Sequence, residues 1–178
     1  MRVISGKYKR KQLLGFKLEN TRPTMDRVKE SMFAMIQENV KDRVCLDLFA
    51  GSGALGIEAL SMGAKKCYFV DRSKEAIKTI RKNLEGITEP TEVLNCDYRQ
   101  AIEYFQQNKI KFDLIFLDPP YQKEDLKKII NTIIENKIIN NDGLIIVETT
   151  TDLDKTNCLK TRKISDKIIK IYQITNED

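Results

Sequence analysis

Between residues 44 and 148 the chain alternates short apolar runs with longer stretches whose apolar residues recur at helical spacing. The runs are 44–49 (VCLDLF), 67–70 (CYFV), 92–95 (EVLN), 113–117 (DLIFL) and 143–148 (GLIIVE). Helical patterns fall between them, over 54–62, 73–85, 98–107 and 124–136. Parallel strands cannot be joined by tight turns and need crossovers, which those helices supply. The alternation therefore predicts an α/β chain built on a doubly wound, mostly parallel sheet. Ahead of it, MDRVKESMFAMIQENV places Val28, Met32, Met35 and Ile36 at helical spacing, with Pro23 at the entrance rather than in the interior. Behind it the alternation stops. KTRKIS and KIIKIYQI are separated only by a turn at Asp166, with no room for a crossover, so they predict a hairpin that adds an antiparallel strand.

A length of 178 residues with 41% hydrophobic and 32% charged residues suits one globular domain with a substantial core. No charged-then-apolar leader opens the chain and its apolar runs are strand-sized, which predicts a cytoplasmic protein without a membrane span. Cys45, Cys67, Cys96 and Cys158 lie far apart with no CxxC pair, and read as buried reduced thiols. Histidine is absent. That excludes His-based metal sites, Ser-His triads and imidazole acid–base chemistry, and leaves carboxylates, backbone groups or a cofactor to carry any reaction.

Charge is concentrated at one end. Residues 1–22 hold Arg2, Lys7, Lys9, Arg10, Lys11, Lys17 and Arg22 against Glu19 alone, so the whole formal excess of +5 lies there. With Tyr8, Phe16 and the glycines Gly6 and Gly15, this segment reads either as a basic arm that clamps a phosphate backbone or as a solvated terminus. The expected organisation is an arm over 1–22 and a catalytic domain over 23–178.

The first chemical motif, Asp47-Leu48-Phe49-Ala50-Gly51-Ser52-Gly53-Ala54-Leu55-Gly56, sits where the first strand passes into its helix and matches G-x-G-x-x-G. Asp71 closes the second strand about 20 residues on, the place of a ribose-binding acid in a nucleotide fold. These features alone suit a nicotinamide dinucleotide nearly as well as S-adenosylmethionine. Two others favour the latter. Asp47, just before the glycine turn, would repel a pyrophosphate but attract a methionyl ammonium. Asp97, after the third strand in NCDY, is placed to accept from an adenine amine, with Tyr98 as an apolar neighbour, and Phe49 of the glycine motif is a further candidate to bind the cofactor. The plainer alternative makes Asp47 and Asp97 helix-start or turn residues.

The second motif, Asp118-Pro119-Pro120-Tyr121, directly follows the strand DLIFL. The exocyclic nitrogen of a base is a poor nucleophile because its lone pair is delocalised into the ring. The Asp118 carboxylate and the Pro119 carbonyl could accept its two N–H bonds and point that lone pair at a methyl group. Pro119 and Pro120 fix the backbone and add no competing amide hydrogens, and Tyr121 could stack on the base. No cysteine adjoins this turn, which argues against covalent C5 methylation of pyrimidines.

MRVISGKYKRKQL, TRPTMDRVKESMFAMI, DLFAGSGALGIEALSMGA, FVDRS, NCD and FLDPPY, in this order and spacing, resemble the bacterial 16S rRNA guanine-N2 methyltransferases of the RsmD type nearly end to end. After Glu148 the match is loose. The resemblance implies a Rossmann-like class I methyltransferase fold, S-adenosylmethionine as cofactor, and one guanine of 16S rRNA, in the 30S subunit or an assembly intermediate, as substrate. It implies that Asp118, Pro119, Pro120 and Tyr121 hold the guanine amine, and that Asp47, Gly51, Gly53, Asp71 and Asp97 hold the cofactor. Thr24, Arg22 and Arg27 would lie near cofactor or RNA, and Lys7, Lys9, Arg10 and Lys11 on the RNA. No metal and a monomeric state are expected. Three other readings remain: an adenine-N6 methyltransferase, for which little chain is left to read a DNA sequence; a nicotinamide oxidoreductase, which lacks a substrate domain and a proton donor; and a non-catalytic RNA-binding module.

Overall fold

Residues 1–15, 23–120, 126–153 and 157–175 are described by a computed structural model of the protein. Helix α1 (Pro23–Met35) precedes β1 (Val44–Asp47), α2 (Ala54–Ser61), β2 (Lys66–Asp71), α3 (Lys74–Asn83), β3 (Thr91–Asn95) and α4 (Tyr98–Gln107). Then follow β4 (Phe112–Leu117), α5 (Leu126–Glu135), β5 (Ile139–Thr149), β6 (Cys158–Ile164) and β7 (Lys167–Gln173). The strands form one sheet in the order β3-β2-β1-β4-β5-β7-β6. Strands β1 to β5 pair in parallel, and the β6–β7 hairpin inserts β7 antiparallel to β5. This is the mixed, doubly wound sheet that the alternation predicts.

Side chains alternate across each strand and bury two layers. Cys45, Phe69, Phe116, Ile146 and Ile171 meet α1, α2 and α3 on one face, and Leu46, Val70, Ile115, Val147 and Tyr172 meet α4 and α5 on the other. Proline opens α1, where its missing amide hydrogen has no intrahelical acceptor anyway.

Several boundaries differ from expectation: the first helix ends at Met35, and two strands shift for a clear physical reason. Strand β1 stops at Asp47 rather than Phe49, because the chain leaves the sheet to make the glycine turn. Strand β5 begins at Ile139 rather than Gly143. Its polar opening, Asn140-Asn141-Asp142, is kept extended by pairing of Ile139 with Phe112 and by backbone bonds that join Asp142 and Gly143 to Ile174, none of which hydrophobicity records. The four cysteines are free, but only Cys45 and Cys67 are buried, whereas Cys96 and Cys158 are partly exposed. Among the described residues no helix is long and apolar enough to cross a membrane.

Residues 1–15 form no detached arm. An antiparallel bridge joins Arg2 to Gln12, and Val3 and Leu13 are buried in the same core layer as α1 and α2. Glu58 of α2, 1% exposed, accepts from the Ile4 and Ser5 amides at 3.0–3.1 Å and pairs with Lys29 of α1 at 3.1 Å. Lys29 also donates to the Arg2 carbonyl at 2.7 Å. A buried pair of this kind gains its value from being complete, since removing one partner strands the other charge. Glu58→Ala is therefore expected to destabilise the protein by about 3–5 kcal/mol, with early loss of amide protection at residues 3–5. Urea unfolding and hydrogen exchange would measure both, and a loss below 1 kcal/mol would remove Glu58 from this role.

Candidate active site

Winding of the sheet reverses between β1 and β4, because the chain builds outward through β2 and β3 and then crosses back. The crevice beyond the carboxyl ends of such strands is where open α/β sheets bind ligands. Asp47 ends β1, and Asp118 follows β4 beside it. Asp71 ends β2, and Asp97 follows β3. Strand alternation puts Asp71, Asp47 and Asp118 on the same face as Phe69, Cys45 and Phe116, the face that α1 covers.

Asp47 is 2% exposed and accepts the Gly56 amide at 3.1 Å. Burial pushes its carboxyl up to about 7; the Gly56 bond opposes the shift, and Asp118 and Asp71 add to it. A Cβ at Gly56 would lie 2.4 Å from the Phe69 ring and 2.7 Å from Cys67 Sγ, so only glycine lets α2 approach β2 closely enough for that amide to reach Asp47. The turn itself runs through positive φ at Gly51 (56°) and Gly53 (82°). Asp71 fixes it by accepting from Gly51 N at 2.9 Å through one oxygen and from Ser73 N at 2.9 Å through the other. Each carboxylate oxygen carries a second lone pair that can accept a further donor.

Asp97 caps α4, accepting from Arg99 N at 2.9 Å while Gln100 returns a bond to its amide, so the helix-start reading of this residue is realised. Tyr98 is buried and packs on Phe49 at 5.4 Å between ring centroids. Tyr98 directly follows Asp97, so the ring pair adjoins that carboxylate in the chain. Pro119 is buried and Pro120 exposed. Tyr121 and Arg22 lie outside the described residues. Thr24 lies in α1, and Arg27 is exposed on the same helix.

Four basic residues of the N-terminal hairpin differ in their engagement. Lys7 pairs with Glu89 at 3.0 Å and Lys11 donates to the Glu85 carbonyl at 2.7 Å, whereas Lys9 and Arg10 point into solvent at the hairpin turn.

Two residues at this edge escape a motif reading. Glu148, near the end of β5, is hydrogen-bonded to Asp118, and Lys167 at the start of β7 lies 3.6 Å from Glu148. Burial pushes both carboxyls upward. The available signal was an acid ending the fifth strand, GLIIVE, as Asp47 and Asp71 end theirs.

A seven-stranded sheet of this order, with acids at the carboxyl ends of β1, β2 and β4, defines a class I methyltransferase fold. Escherichia coli yhhF shares it with a TM-score of 0.86 and 28% identity over 99% of both chains. The T. thermophilus 16S rRNA N2 G1207 methyltransferase aligns with a TM-score of 0.69 at 20% identity, over 89% of this chain and 45% of that one. Residues 1–175 match the model described as Conserved hypothetical protein 95, and the chain belongs to that family. Ribosomal RNA small subunit methyltransferase D of Haemophilus influenzae is 37% identical over 157 residues, covering 85% of this chain and 80% of the relative. Bacillus subtilis YlbH is 44% identical over 150 residues, covering 83% and 82%.

Asp47 supplies a test of the site's electrostatics without a substrate. Between 3.8 and about 7 the folded protein keeps a proton that the unfolded chain releases, so this group's contribution to stability falls as pH rises through that window. Asp47→Asn, which still accepts from Gly56, is expected to be more stable than the wild type at pH 8 by on the order of 2–4 kcal/mol and equal to it near pH 4. Thermal unfolding at the two pH values measures this, and a pH-independent difference would contradict a buried, strained carboxylate.

Proposed function

We propose that the protein transfers a methyl group from S-adenosylmethionine to the N2 amine of a guanine in 16S rRNA, within the 30S subunit or an assembly intermediate, acting as a cytoplasmic monomer. The observation that carries this reading is the convergence of Asp47 and the Asp118-Pro119-Pro120 turn at the switch point of the sheet. Relatives named for methylation of small-subunit rRNA support the substrate, and a neighbour of the same fold solved with AdoMet and guanosine supports the cofactor and the base.

The cofactor fits the residues present. A buried carboxylate held at a cost, as Asp47 is, suits a ligand that brings a positive charge, the ammonium of a methionyl group. Asp71, with one oxygen held by Gly51 N, the other by Ser73 N and a lone pair left on each, suits a ribose diol. Asp97 and the Phe49–Tyr98 pair suit adenine. When bound, S-adenosylmethionine supplies an electrophilic methyl group. Everything else falls to the chain: Asp118 and the Pro119 carbonyl accept the two N–H bonds of the amine, Tyr121 stacks on the base, and the crevice keeps water from the reacting nitrogen. The guanine enters unpaired or flipped from its stack, because its amine is otherwise out of reach. Thr24 borders the cofactor, and Arg22 and Arg27 face the RNA. Of the hairpin residues, Lys9 and Arg10 contribute the first phosphate contacts, with Lys7 and Lys11 already engaged within the fold.

Methyl-labelled S-adenosylmethionine, offered with unmethylated 30S particles, naked 16S rRNA and duplex DNA, is expected to yield N2-methylguanosine from the particles. Asp118→Ala and Tyr121→Ala should each lower that yield at least about a hundredfold without unfolding the domain. N6-methyladenine as the product would overturn the guanine assignment, and wild-type rates in both variants would overturn the site. Lys9→Ala with Arg10→Ala should reduce the salt dependence of RNA binding by about two in log–log slope; an unchanged slope would take the hairpin turn out of the interface.

A further inference from the structure

Strands β4 and β5 pair in parallel, with Leu117 opposite Val147. One step further on, Asp118 and Glu148 stand side by side, both on the face that carries Phe116 and Ile146. In the antiparallel register of β7, Glu148 lies opposite Ile169, and two residues back on the same face of β7 is Lys167. Its Nζ reaches to 3.6 Å from Glu148 Oε1. Two carboxyl groups in contact cannot both be ionised cheaply at a site this poorly hydrated, which favours one proton held between them; burial lowers the Lys167 ammonium while the Asp118 charge opposes that shift. Side chains of Glu148 on β5 and Lys167 on β7 are 15% and 17% exposed, so water touches the cluster at these two residues.

An exocyclic amine that gains a methyl group must lose a proton, and of the two groups proposed to accept its N–H bonds, Asp118 and the Pro119 carbonyl, the carboxylate is the one basic enough to take it. We propose that Glu148 is a positioning residue for methyl transfer, holding the proton it shares with Asp118 and releasing it to water when Asp118 takes one from the amine. This rests on the amino-methyltransferase reading given above. As the nitrogen lone pair forms the N–C bond and the old S–C bond leaves its electrons on sulfur, one N–H bond breaks. Its electrons stay on nitrogen and its proton goes to the Asp118 carboxylate. At the same time the Glu148 O–H, which donates to Asp118 beforehand, gives its proton to water beside Lys167. A proton returning along the Asp118–Glu148 bond restores the starting state, so no other reactant is required. The charged groups facing the pair among the described residues are Lys167 and Asp166 from the β6–β7 hairpin and Asp47 from β1, with Asp71 beyond Asp47. Burial and the Asp118 charge both push the Glu148 carboxyl upward, as a proton holder requires.

The test has two arms. Carbon-13 carboxyl titration of the protein alone should show Glu148 releasing its proton well above the ordinary glutamate range, and Asp118→Asn should bring that value down. With 30S particles, Glu148→Gln should lower kcat about a hundredfold and flatten its pH profile, leaving KM for the particle and cofactor affinity within twofold, and Glu148→Asp should recover part of the rate. Titration of Glu148 in the ordinary range, unmoved by Asp118→Asn, would overturn the shared proton. A wild-type rate and pH profile in Glu148→Gln would overturn the relay. A wild-type protein that methylates no RNA would instead overturn the functional reading, and the titration would still decide whether the pair shares a proton.

Discussion

The parallel pairing of β1 with β4 sets the geometry on which the site depends. Because β2 and β3 are laid down on one side of β1 and β4 on the other, the crossovers diverge at this seam, the place where open α/β sheets form a ligand crevice. Every strand from β1 to β5 points its carboxyl end the same way, so side chains that end separate strands are gathered along one edge. Asp71, Asp47, Asp118 and Glu148 stand in sheet order along it, and Lys167 closes the row because β7 runs the opposite way and begins where β5 ends. An antiparallel arrangement throughout would have scattered these groups between two edges.

Crowding acids at a dehydrated edge is unfavourable in the empty protein. The fold tolerates it by giving each one a partner: the Gly56 amide for Asp47, the Gly51 and Ser73 amides for Asp71, and a shared hydrogen bond for Asp118 and Glu148. Glycine at position 56 is part of the same solution, since α2 must approach Phe69 and Cys67 closely to present its amide. These groups are held in place in the protein alone, and on the proposed function a cationic ligand would relieve the repulsion that remains.

A second buried cluster performs a different task. Glu58 and Lys29 bind the N-terminal hairpin to α1 and α2, and Asn83 links Leu14 to the Ser52 carbonyl in the glycine turn. The hairpin that presents Lys9 and Arg10 is thereby tied through Asn83 to the loop that carries Gly51 and Gly53. On the proposed function, a basic segment joined to that loop would hold a polyanion in fixed register with the site, which a tethered but mobile arm could not do.

The order of strands and helices, the C-terminal hairpin and the two motif-bearing turns were legible in the sequence by itself, because each is encoded within a dozen residues by periodicity, glycine, proline or chain length. Asp47, Asp71 and Asp118 could be singled out for the same reason: each ends an apolar run. The tertiary structure alone decided that residues 1–15 share the core, that Lys7 and Lys11 are engaged while Lys9 and Arg10 are not, that Tyr98 is buried against Phe49, and that Glu148 and Lys167 join Asp118. Those outcomes depend on contacts between residues far apart in the chain, Lys7 with Glu89 and Asp118 with Glu148 among them. A local pattern carries the tendency of a segment to extend or coil, but the neighbours that a charge will meet are fixed only when the sheet is assembled and water is removed from its edge.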